Sequence, residues 1–140
     1  MAATYFDEGL PGLMRSRNGS ASSLTPGSLR LYTAVSGGIA AGRVKADFTE
    51  ASGMGYAAAT LSGSDWSYAT LDTTNHWQIA TVTKGWTFTA GAGMTILGWY
   101  VTDSGNTKVM FGEAFSSSIV IPAGGGSLSV TVNDKYQGCA

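Results

Sequence analysis

The residues with side chains suited to catalysis or metal binding are few: one histidine, one cysteine and nine carboxylates spread along the chain. His76 lies between Asn75 and Trp77 in a β-like run, and no Gly-x-Ser-x-Gly turn raises a serine nucleophile anywhere. A Ser-His-Asp triad would have a base without a nucleophile, so His76 reads as structural or surface. Structural zinc takes about four nitrogen or sulfur ligands, more than His76 and the distant Cys139 supply. Glycoside hydrolysis needs two carboxylates across a sugar. The close pairs, Asp47 with Glu50 and Asp65 with Asp72, fall at strand ends and loops, where carboxylates serve turns. No Asp-x-Asp-x-Asp-Gly run offers a calcium loop. Gly91-Ala92-Gly93 and Gly124-Gly125-Gly126 each precede a β-rich run instead of a helix, so they read as tight corners, not phosphate cradles. The expectation is no catalytic residue, no metal and no cofactor. Among the tryptophans, Trp77, Trp86 and Trp99 sit in alternating runs and read as core. Trp66 and Tyr68 lie in a polar stretch and are better placed for a partner or a sugar ring.

The elements that must position these residues are legible from composition. Only 12% of the residues are charged, while 20 glycines and 11% aromatics accompany abundant Ser and Thr. Short strands and tight turns suit that mixture better than helices, whose wet faces need long or charged side chains. A formal net charge of −1 with no basic stripe disfavours a nucleic-acid partner. So weakly charged a surface is poor at keeping a free monomer soluble, and it points to life in an assembly. The single Cys139 excludes an internal disulfide framework. No basic-then-apolar leader opens the chain and no apolar run is long enough to span a bilayer, so the expectation is synthesis in a cytoplasm without membrane insertion.

Taken in order, residues 1–28 read as an N-terminal arm and linker, and residues 29–140 as one β-sandwich domain. Tyr5, Phe6, Leu10, Leu13 and Met14 fall near helical spacing, interrupted by Pro11 and Gly12. This predicts a brief helical turn whose apolar side chains dock on a neighbour. Beyond it, Leu29–Val35 alternates as a first strand, followed by Val44–Phe48, Tyr56–Leu61, His76–Thr83, a strand around Trp86 and Phe88, Ser118–Ile121 and Ser127–Val132. Leu128, Val130 and Val132 take the inward positions of the last strand. Two further β-rich runs flank Thr102-Asp103-Ser104-Gly105-Asn106-Thr107 and form a hairpin over Thr95–Phe115. Within it, Ile96, Gly98 and Tyr100 are predicted on one face and Leu97, Trp99 and Val101 on the other, both faces covered. Eight or nine short strands separated by turn signals predict an all-β, jelly-roll-like antiparallel sandwich.

Four blocks carry a resemblance. Ala46-Asp47-Phe48-Thr49-Glu50-Ala51, Gly55-Tyr56-Ala57, Gly98-Trp99-Tyr100-Val101-Thr102-Asp103 and Phe111-Gly112-Glu113-Ala114-Phe115 resemble, in order and spacing over roughly Leu29 to Val132, a family of small virion structural proteins of tailed bacteriophages. Members often read Trp-Ala-Glu-Arg-Phe in the last block, so an arginine is missing here. The opening loop, Ser36–Gly42, is Gly- and Ala-rich where members carry Asp, Thr and Pro. The resemblance implies a virion component made in the host bacterial cytoplasm. The role it suggests is a capsid decoration (cement) protein on the capsid exterior, a homotrimer bridging major capsid subunits. An alternative within the same resemblance is a tail-tip or fibre-associated module that binds host-surface glycan through Trp66 and Tyr68.

Overall fold

The structure is a computed structural model that describes residues 4–6, 25–68 and 77–137, the side chains of Tyr5, Tyr68, 77–79 and 135–137 excepted. Within these, nine strands form: β1 (Thr4–Tyr5), β2 (Pro26–Val35), β3 (Phe48–Glu50), β4 (Ala59–Thr60), β5 (Ser67–Tyr68), β6 (Trp77–Phe88), β7 (Met94–Asp103), β8 (Val109–Ile121) and β9 (Gly126–Gln137). The helical elements among the described residues are two single 3-10 turns, Lys45–Asp47 and Gly63–Asp65. The larger sheet runs β1-β8-β7-β2-β3, with β4 also on β2, and the smaller runs β5-β6-β9. All pairings are antiparallel.

The two sheets pack face to face as a sandwich. Leu29 and Leu31 of β2, Ile96, Trp99 and Val101 of β7 and Met110 of β8 share one buried cluster with Val82, Trp86 and Phe88 of β6 and Val130 and Val132 of β9. The Trp86 indole donates to the Ala57 carbonyl at 2.8 Å, so its one polar atom enters the core satisfied. In chain order the β6·β9 pair encloses the β7·β8 hairpin. The described residues give sheets of six and three strands, not two of four.

The larger sheet also carries apolar residues on its outer face. Phe6, Tyr32, Phe48, Tyr100 and Val109 are buried together there, with Val35, Ile39 and Leu97 packed against them. Phe48 stacks on Tyr100 at a 4.6 Å centroid distance and meets Phe6 and Tyr32 edge-on, each at 5.4 Å. Covering on both faces explains why β7 is buried almost throughout.

Four expectations need correction. Thr4–Tyr5 is a strand on the edge of β8, opposite Gly112 and Phe111, and not part of a helical turn. Phe6, expected to dock on a neighbour, is 0% exposed within its own fold, and its amide donates to the Met110 carbonyl at 2.9 Å. The hairpin faces divide differently, Ile96 joining Trp99 and Val101 while Leu97 joins Tyr100. The cause is a register shift between Ile96 and Gly98, where β8 inserts extra residues between Ala114 and Ile119. Finally, Val44–Asp47 is a turn and not a strand, because Asp47 accepts the Val44 amide at 3.0 Å and closes the chain on itself.

Candidate functional site

A cleft of about 240 Å³ opens where the two sheets meet, lined by Thr25, Pro26, Ser62, Gly63, Trp66, Ala80 and Asp134. Three separate segments build it. The start of β2 is held by Ser104, whose amide donates to the Thr25 carbonyl at 2.9 Å, and by Leu61, whose amide donates to the Gly27 carbonyl at 2.9 Å. Gly27 is required there, since a Cβ would lie 2.6 Å from the Asp103 carbonyl oxygen.

The second segment is the Ser62–Asp65 turn. The Ser62 amide and hydroxyl both donate to Asp65 Oδ2, at 2.7 and 2.9 Å, and Lys84 Nζ of β6 reaches Asp65 Oδ1 at 2.7 Å. That lysine, followed by the two Ser62 donors, holds the Asp65 carboxyl down to about 2. The turn is thereby tied to β6, and Trp66 follows it directly, half-buried and packed on the main core.

The third segment is the paired start of β6 and end of β9. Ala80 lies opposite Asp134 in register, and Asp134 is 4% exposed. An indole beside a mostly buried carboxylate, with the Thr25 and Ser62 side chains on the rim, suits a small uncharged ring bearing hydroxyl groups. His76 and Cys139 lie outside the described residues. Among the described residues no group of three or more His, Cys, Asp or Glu side chains gathers as a metal site would.

Of the residues singled out from sequence, Trp66 lines this cleft and Tyr68 pairs in register with Ala80, one of its lining residues. Tyr5 and Phe6 stand elsewhere, at the β8 edge, three strands from β2 and so roughly 14 Å across the sheet. Leu10, Leu13 and Met14 lie outside the described residues. Asp134 was missed, although a signal existed: it occupies the next inward position after Leu128, Val130 and Val132. An acidic residue at an inward position is the unexpected feature that marks a site.

The resembling blocks serve the frame and not the cleft. Glu50 accepts from Arg30 Nη1 at 2.6 Å and from the Tyr56 hydroxyl at 3.1 Å, and that hydroxyl takes the Leu31 amide at 3.0 Å, so the three side chains close the β3 edge. Burial pushes the Tyr56 phenol well above its usual range. Asp103 accepts the Thr107 and Lys108 amides, each at 2.7 Å, and the Thr107 hydroxyl at 2.9 Å. Its burial works to raise the carboxyl, but these donors outweigh it and hold it below the ordinary value. The sequence matches no protein-family model, and comparison with curated proteins and with solved structures finds no match.

Proposed function

We propose that this chain is a structural component of a bacteriophage virion, a decoration protein that sits on the capsid exterior and bridges neighbouring shell subunits. The observation that carries the reading is the outward face of the smaller sheet. Thr83 and Thr87 of β6 and Ser127, Ser129, Thr131 and Asn133 of β9 are exposed side by side, with Thr83 hydrogen-bonded to Thr131 at 2.9 Å and Thr81 to Asn133 at 3.1 Å. A flat face of short hydroxyl and amide groups carries little side-chain entropy and no charge to desolvate, so it suits a broad contact with another protein. The weakly charged composition and the family resemblance point the same way.

The test is binding to shells stripped of decoration. The wild-type chain should bind to saturation, and the Thr83→Glu/Thr87→Glu double variant, folded but carrying buried-on-contact charges, should not. Equal binding by both, or binding by neither, contradicts the proposal.

The cleft favours a second reading, a module that binds host-surface glycan. Trp66 beside Asp134 is the observation behind it. Glycan-array binding abolished by Trp66→Ala, with shell binding absent, would select this reading over the first.

A further inference from the structure

The edges of the two sheets are not alike. At one edge of the larger sheet, β1 covers β8 at Gly112 and Phe111. At the other, short β3 carries the Arg30–Glu50 ion pair beside a register shift in β2. In the smaller sheet the β5 edge is 2 residues long and follows the Asp65–Lys84 ion pair. Short strands, bulges and charges are the devices that keep an edge from pairing with another chain.

β9 lacks them over its first eight residues, with Asp134 and Lys135 following toward its far end. It extends over 12 residues with unbroken register against β6, from Phe88↔Gly126 to Trp77↔Gln137. From Gly126 to Asn133 it contains no proline and no charge. Among the described residues no strand pairs with its outer edge.

The sequence of this edge is also self-complementary. In an antiparallel pair, opposed residues share a face, so a two-fold pairing must be centred on a residue. Centred on Val130, it sets Ser129 against Thr131, Leu128 against Val132 and Ser127 against Asn133. Hydroxyl and amide groups then meet on the outward face, extending the ladder that Thr81, Thr83, Thr131 and Asn133 begin. Apolar groups meet on the core face, and Asp134 falls opposite Gly126 instead of another charge. Centring on Thr131 would set Leu128 against Asp134, a mismatch that the Val130 register avoids.

We propose that a second copy of this chain pairs antiparallel with the outer edge of β9 about a two-fold axis at Val130, joining two three-stranded sheets into one six-stranded sheet. The backbone donors and acceptors that no described strand pairs on each edge satisfy those of the other. This pairing does not depend on the shell reading, and its two-fold symmetry differs from the three-fold assembly that the resemblance implies.

Sedimentation equilibrium on the full chain tests it. The wild type should show twice the 14.4 kDa chain mass. Ser129 and Thr131 are exposed, so substituting them leaves the core intact. Ser129→Lys/Thr131→Lys sets like charges opposite each other at both symmetric contacts and should weaken the dimer roughly a hundredfold. Ser129→Asp/Thr131→Asp should do the same. Mixing the two variants should restore a dimer containing one of each, an outcome that misfolding cannot produce. A wild-type monomer, a wild-type trimer, or a dimer indifferent to both pairs overturns the proposal.

Discussion

Replacing Phe6 with alanine is the sharpest probe of how the N-terminal residues are used. Phe6 is 0% exposed and meets Phe48 edge-on at 5.4 Å beneath the outer face of the larger sheet. Full removal of a buried phenyl ring costs about 3–5 kcal/mol, and an aromatic pair adds about 0.5–1.5 kcal/mol to simple burial. The ring is anchored by a strand of only 2 residues, which can relax around the cavity, so the lower end applies. We expect Phe6→Ala to destabilise the chain by about 3 kcal/mol and to lower the melting temperature by roughly 10 °C. Phe6→Leu, which refills most of the volume, should cost about 1 kcal/mol. Urea unfolding followed by tryptophan fluorescence measures both, and an unchanged denaturant slope would show that the compactness of both states is preserved. A loss below about 0.5 kcal/mol for Phe6→Ala, within the range of ordinary surface substitutions, would refute the placement. The placement also shapes the shell experiment: deleting the whole N-terminal segment would remove Phe6 and damage the fold.

Three further outcomes follow from the frame. Gly98→Ala would bring a Cβ against the Glu113 carbonyl and 2.6 Å from the Tyr32 hydroxyl oxygen, so it should cost about 2–3 kcal/mol in urea unfolding, whereas Gly124→Ala, with open space around it, should be nearly neutral. Asp65, held at about 2 against an ordinary 3.8, favours folding above the ordinary value, and Asp103 acts with the same sign. Their contribution should be full above about pH 4 and lost as pH falls toward 2, seen as acid loosening of the Trp66 turn in nuclear magnetic resonance spectra. Burial pushes Tyr32 and Tyr100 up to about 12, with Glu113 reinforcing Tyr32 and Glu50 reinforcing Tyr100. Their stabilisation should persist below pH 10 and disappear between 10 and 12, and ultraviolet phenolate absorbance should show late-titrating tyrosines that shift to ordinary values on unfolding.

The parts of the fold that could be read from sequence are those where local pattern and tertiary pairing agree. Leu29 and Leu31 in β2, and Val130 and Val132 in β9, are inward as the two-residue alternation predicts, because the pairing β9 makes with β6 is unbroken. The alternation failed at Leu97, where a bulge in the neighbouring strand shifts the register; that information resides in β8, not in β7. The helical reading failed at Tyr5 and Phe6, where a backbone partner supplied by β8 from far along the chain sets an extended edge instead. The cleft was half visible. Trp66 stood out as an aromatic in a polar stretch, but Thr25, Ser62 and Asp134 belong to three segments that only the meeting of two sheets brings together.

The central claim, that this chain is a shell component of a virion, is tested most directly by counting it in purified particles. Quantitative mass spectrometry against the major shell protein should find a copy number of the same order as that protein. A count matching the few copies of a tail-tip part would transfer the chain to the glycan-binding reading, and absence from the particles would contradict the account.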